Sequence, residues 1–218
     1  MRHIKKINVP TYFSKISTNL INNNRKWKYF GNKHRVCKSR LKNYILLNEQ
    51  KNLCAYCEAE IRNKKDAHLE HIQPQSTAIL RFDYNNIIVS CEGKRCSFNS
   101  LDESGHENES CGHKKSNKHD SSKFLDPTKI ANINDYFEYN NDGKIKSSGI
   151  DDEKSIYTIE ILNLDNTRLN GARKNAQLAI YKFLSSFQGS KKDKLINILS
   201  TPRAYISFLK YYYKNIIS

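Results

Sequence analysis

The residues best suited to chemistry are cysteines, at 37, 54, 57, 91, 96 and 111, and histidines flanked by glutamates between 68 and 113. Cys54-Ala-Tyr-Cys57 has the two-residue spacing with which a tight turn aims two thiolates at one ion. A tetrahedral site then needs a second pair from Cys91, Cys96 and Cys111. The opening run Met1 to Pro10 has no apolar stretch behind its basic residues that would make an export signal, so the expected compartment is the reducing cytoplasm. There a bound metal is a better reading than a disulfide framework. A redox CxxC is the rival, but no βαβ pattern surrounds it. Cys37 sits in a basic helical stretch and reads as a small buried hydrophobe.

Three further runs fall in order inside this frame: His68-Leu-Glu70-His71-Ile-Gln-Pro74, Tyr84-Asn-Asn86-Ile-Ile-Val-Ser-Cys91, and Cys111-Gly-His113-Lys-Lys115-Ser-Asn117. Together with the knuckle they resemble the HNH (ββα-metal) nuclease motif over roughly residues 50 to 120. Leu53-Cys-Ala-Tyr-Cys-Glu58, Ser90-Cys-Glu-Gly93 and Leu125-Asp-Pro127 bring the resemblance nearest to the PtuB-like subunit of Septu and to retron-associated HNH proteins of anti-phage defence. The resemblance implies that Cys91 and Cys111 complete a structural zinc site with Cys54 and Cys57. From the residues alone, Cys96 is an alternative partner for Cys91.

The chemistry expected is phosphodiester hydrolysis, which needs an activated water, a cation beside the phosphate and rigid placement of both. His71 is the expected general base, because an imidazole titrating near neutrality accepts a proton from water. Glu70 precedes it, and adjacent strand residues face opposite ways, so the two reach one site only at a strand end or bend. The resemblance makes Glu70 a ligand of a catalytic Mg²⁺ or Mn²⁺, and makes Asn86, with Asn85 as its neighbour, a brace for the loop. Where the family places a second His or Asn ligand, directly after the last zinc cysteine, this chain has Gly112. His113 is the expected replacement, and Asn117 and His119 are further candidates. Lys114 and Lys115 are candidate phosphate contacts.

These residues need elements to hold them, and the expected class is α+β and mostly helical. A basic helical segment (1–50) precedes the zinc-stabilised ββα-metal core (51–123), and a mainly helical support or docking region (124–218) follows it. Helices are expected at 36–50, at 166–188 with a stripe of Leu169, Ala172, Ala176, Ile180, Phe183 and Phe187, and from Pro202 onward with Tyr205, Leu209, Tyr212 and Ile216 on one side. A hairpin is expected across 136–146. Residues 92 to 110 read as a polar surface loop with His106 exposed.

Charge adds a partner. The 218 residues carry a net +15, of which +11 lies in residues 1–50, interleaved with Trp27, Tyr29, Phe30 and Tyr44. This is what a phosphate-tracking surface looks like, with Arg25, Lys26 and Lys28 as its candidates. There is no Gly-rich phosphate loop, so nucleotide hydrolysis would fall to a partner. The resemblance implies a separate ABC/SMC-like (PtuA-like) ATPase and, in retron-linked systems, a reverse transcriptase with its msDNA. Tyr211-Tyr-Tyr213 is a candidate docking run. The reading from a different class is a non-catalytic, zinc-stabilised nucleic-acid-binding adaptor, and Glu70-His71 argues against it.

Overall fold

The computed structural model describes residues 1–93 and 109–217, and it is α+β and about half helical. Cys96, His106 and most of the expected 92–110 loop lie outside the described residues.

Three short helices open the chain. Pro10 presets the backbone at the start of α1 (Thr11–Asn22), which buries Phe13 and Leu20. α2 (Trp27–Lys33) buries Trp27 and Phe30, and α3 (Arg35–Tyr44) buries Cys37 and Leu41 and runs into a wider turn, Ile45–Glu49. Cys37 is part of the hydrophobic core, as its sequence context suggests.

Two short strands follow the knuckle. β1 (Ala67–His71) and β2 (Ile87–Cys91) pair antiparallel in the register Ala67↔Cys91, Leu69↔Val89 and His71↔Ile87. A five-residue helix, α4 (Cys111–Lys115), packs against β2. The hairpin expected near 136–146 is present as β3 (Phe137–Tyr139) and β4 (Ile145–Ser147). α5 (Asp152–Leu162) is capped by the Asp151 side chain accepting from Lys154 N–H.

The C-terminal helices differ from expectation in two respects. α6 (Thr167–Ser186) buries Leu169, Arg173, Gln177 and Ile180, whereas Phe183 is 46% exposed. Arg173 turns inward because its guanidinium donates to the carbonyls of Gly143 and Leu164, which would otherwise be buried unpaired. A helix not expected from the sequence, α7 (Lys191–Ser200), ends before Thr201, and the helix expected from Pro202 starts later and is divided: the backbone turns through Tyr205 at φ +57, and α8 (Ile206–Tyr212) and α9 (Lys214–Ile217) follow. Tyr213 is buried and donates to Gln177 O, Tyr211 rests on Tyr139, and Tyr212 is left at the surface.

One hydrophobic core runs through all three segments of the chain. The links are specific. Ile4 N–H donates to Pro127 O at 2.8 Å, and the buried Glu58 carboxylate accepts from Ser207 N–H (2.9 Å) and hydroxyl (2.6 Å). No helix among the described residues is long and apolar enough to cross a membrane.

Candidate active site and structural metal centre

Gln50, fully buried, fixes the knuckle to the hairpin. Its amide donates to Leu53 O and Val89 O and accepts from Val89 N–H, each at 2.8 Å. This seats Cys54 and Cys57 beside the end of β2, where Cys91 lies, and Cys111 arrives from the start of α4 at φ +61. The four sulfurs lie within 4.8 Å of one another, with Cys57 and Cys91 3.7 Å apart. That separation is the edge of a tetrahedron with metal–sulfur bonds of about 2.3 Å. Backbone N–H groups of Cys91 and Ala59 point at the sulfurs of Cys54 and Cys57, as thiolates require. Burial opposes ionisation of Cys54, but donation from the Cys111, Cys57 and Cys91 thiols holds it well below the usual thiol range. A cation would replace those protons. The quartet Cys54, Cys57, Cys91 and Cys111 therefore fits a closed structural metal site.

A second group sits across the hairpin. His68, Glu92 and His113 each bring one ligand atom within 4.8 Å of the others. His113 Nε2 is 2.9 Å from Glu92 Oε2, and the His68 ring lies 4.5 Å from that of His113. His68 also reaches Glu70, with Nε2 3.5 Å from Oε2. Glu70 and His113, expected to share the ion directly, are thus joined through His68. Sequence reasoning alone passes over His68 and Glu92. Strand alternation is the available signal for His68, two residues before Glu70 and on the same face; for Glu92 it is adjacency to Cys91.

Gly112 accounts for the chain's departure from the family pattern. A Cβ there would lie 2.7 Å from both Glu70 Oε2 and His68 Nε2, so the space a ligand side chain would take is already filled. Burial alone would push the Glu70 carboxyl up, but hydrogen bonding to His68 and the charge of Lys115 hold it below its ordinary value. Lys115 itself corrects an expectation. Its side chain is fully buried, and Nζ lies 2.9 Å from both Glu70 Oε1 and His71 O, so it is not presented to a substrate phosphate. Lys114, its neighbour, is half-buried.

His71 ends β1 on the opposite face. Its Nε2 donates to Arg81 O at 3.0 Å, which assigns the tautomer with Nδ1 unprotonated. Trp27 meets the ring edge-on at 4.4 Å. Burial pushes the imidazole below its usual range, more than the Arg81 carbonyl and Glu70 raise it, so the ring is neutral at neutral pH. A neutral, fixed imidazole is a proton acceptor. Asn86 holds the loop that supplies the Arg81 carbonyl: Nδ2 donates to Gln73 O and Leu80 O, and Oδ1 accepts from Gln73 N–H. Asn85 is exposed and plays no such part.

Asn117 and His119 both lie away from this cluster. α4 stops at Lys115, Ser116 adopts φ +50, and Asn117 is exposed beyond the helix it was expected to share with His113. His119 rests on Phe124, 5.2 Å between rings. Arg25, Lys26 and Lys28 are exposed around the start of α2, next to Trp27, and Arg25 O accepts from Arg81.

No protein-family profile matches the chain. Over 210 aligned residues it is 25% identical to an Escherichia coli protein named as a candidate HNH endonuclease of retron Ec83, covering 82% of this chain and 79% of that protein. The similarity thus extends well beyond the cysteine and histidine runs, and it supports a nuclease.

Proposed function

We propose that the protein is a metal-dependent HNH endonuclease that hydrolyses phosphodiester bonds in nucleic acid. The observation carrying this is His71: a buried, neutral imidazole, oriented by the Arg81 carbonyl, at the end of a strand whose other face bears Glu70 and His68. An adaptor would gain nothing from holding a base in that state. His71 Nδ1 takes the proton from the attacking water, Asn86 keeps the Arg81 carbonyl in place, and Lys115 fixes both Glu70 and the strand end. His68, Glu92 and His113, with Glu70 beside them, would hold a divalent ion, and two imidazoles in the set favour Mn²⁺ or a later transition metal over Mg²⁺. Such an ion neutralises charge developing on the phosphate and the leaving oxygen. Cys54, Cys57, Cys91 and Cys111 would hold Zn²⁺, which would tie knuckle, hairpin and α4 together.

The relative is named for a retron, and the likeness of the motifs to anti-phage HNH proteins is the ground for a place in defence. In that reading the protein is the effector subunit of a cytoplasmic complex with an ABC/SMC-like ATPase, and with a reverse transcriptase and its msDNA where a retron is present. DNA and structured RNA such as tRNA are both substrates to test. Purified protein, alone and with its ATPase, is incubated with plasmid and with total RNA in Mg²⁺ or Mn²⁺, against a folded His71→Ala variant. Cleavage by wild type and its loss in the variant is the expected result. Cleavage that survives His71→Ala overturns the mechanism, and nucleic-acid binding without cleavage under every condition returns the adaptor.

A further inference from the structure

A cleft of about 250 Å³ runs between α3 and the outer edge of β1, and its walls include Gly31, Arg35, Lys38, Lys42, His68 and Leu69. No carboxylate lines it, and three cations do. Arg35, Lys38 and Lys42 fall at helical spacing along α3, so they form one row above the strand. Lys42 is committed to the fold, donating to Ala67 O at 2.7 Å.

Lys38 is different. It is half-buried, and among the described residues no carboxylate lies within ion-pair distance of it. Its ammonium stands over the Trp27 ring at 5.7 Å, and the same ring meets His71 at 4.4 Å. Burial holds the Lys38 ammonium below its ordinary range with no carboxylate to offset it. A half-buried cation without a counter-ion is partly stripped of water, and an arriving anion would offset that cost. Gly31 keeps the space beside it open, since a Cβ there would lie 3.3 Å from Nζ. At the far wall, His68 belongs to the His/Glu cluster. An anion in this cleft would meet Lys38, whose ammonium stands over the Trp27 ring that abuts His71, and would lie beside His68 of the candidate ion site.

Resting on the endonuclease reading, we propose that this cleft is a phosphate subsite: Lys38, with Arg35 at its mouth, anchors a backbone phosphate of the nucleic-acid strand next to the one being cleaved. Lys38 is a positioning residue in this scheme. It supplies charge and register, and takes no part in the proton transfers.

The test uses the full-length protein and fluorescein-labelled oligonucleotides, single-stranded and duplex, DNA and RNA, read by anisotropy with no Mg²⁺ or Mn²⁺ added and no chelator, so that cleavage is withheld while the four-cysteine metal is kept. Lys38→Gln loses roughly tenfold in affinity at 0.1 M salt and lowers the salt slope by about one. Arg35→Gln, an exposed change that leaves the packing intact, loses less in the same direction, and Lys38→Arg restores binding. Lys191→Gln on α7, which packs on α6, α8 and α9, serves as the control for net charge. In cleavage assays Lys38→Gln raises KM and leaves kcat within a few-fold. Wild-type affinity in both Lys38→Gln and Arg35→Gln overturns the subsite while leaving the endonuclease standing. An equal loss in Lys191→Gln also overturns it, because the effect is then a diffuse field. Wild type that neither binds nor cleaves any of the probes sinks the endonuclease reading together with the subsite.

Discussion

Lys115 and Asn86 show how much of the site is held by single side chains. Lys115→Met leaves the Glu70 carboxylate buried with its ammonium partner removed, a loss of about 3–5 kcal/mol when one member of a buried pair is deleted. The melting temperature should fall sharply, whereas a lysine that served only substrate would lower affinity and leave melting unchanged. Asn86→Ala deletes three hydrogen bonds to Gln73 and Leu80 and frees the loop carrying Arg81. It should cost about 2 kcal/mol in urea unfolding and lower kcat at least tenfold, since the orientation of His71 goes with that loop. Gly112→Ala puts a methyl group where Glu70 and His68 already lie, so Mn²⁺ affinity measured by calorimetry should fall while the four-cysteine metal content stays intact. At this scale the sequence is legible wherever spacing is diagnostic, as in the CxxC knuckle, and silent where it is not. Lys115 reads the same whether it points to solvent or to a buried glutamate, and His68 without its strand partner is one more histidine.

Among the elements, the knuckle carries most of the organisation. Glu58 follows Cys57 at φ +63, is buried, and is the acceptor for both Ser207 N–H and its hydroxyl, while Glu58 O accepts from Tyr205 N–H. Loss of the metal should therefore loosen a helix nearly 150 residues away in sequence. With a strong chelator, hydrogen exchange should accelerate in the knuckle, β2 and α4, and also in α8, while α5 stays protected. If α8 keeps its protection in the chelated protein, the tie through Glu58 is not transmitting the loss. The β3–β4 hairpin and α3 are readable because their turn residues and apolar spacing agree with their final burial. The apolar stripe of α6 is right for Leu169 and Ile180, which are buried, and fails at Phe183, which is exposed, while Arg173 turns inward through hydrogen bonds that no hydrophobic pattern records. α7 escapes a sequence reading for a related reason: Leu195 and Leu199 are its only buried apolar positions, too few to announce a helix.

For the whole molecule the question is where the positive charge sits. The +11 of the first 50 residues is not spread evenly in space: Arg25, Lys26 and Lys28 ring the start of α2 beside Trp27, and α3 faces β1 with its own row. Charge reversal at Arg25, Lys26 and Lys28 together should flatten the dependence of nucleic-acid affinity on salt by about two to three in log–log slope, with zinc content unchanged. An unchanged slope would assign that surface to a protein partner instead. The distribution is visible in the sequence as a count, but the sequence does not say which cations face the hairpin and which face solvent.

The chain beyond β2 leaves at Gly93 and comes back at Ser110, and these two residues touch. Gly93 has φ +54 and backs so closely onto the Ser110 carbonyl that no side chain fits, while Arg168 Nη2 bridges Gly93 O and the Ser110 hydroxyl at 3.2 and 2.6 Å. An interval whose two ends are already clasped can change length at little thermodynamic expense, since doubling a closed loop costs only about 0.6 kcal/mol. The junction is therefore a natural graft point. Foreign sequences spliced between Gly93 and Glu109 should leave the four-cysteine centre and the surroundings of His71 assembled.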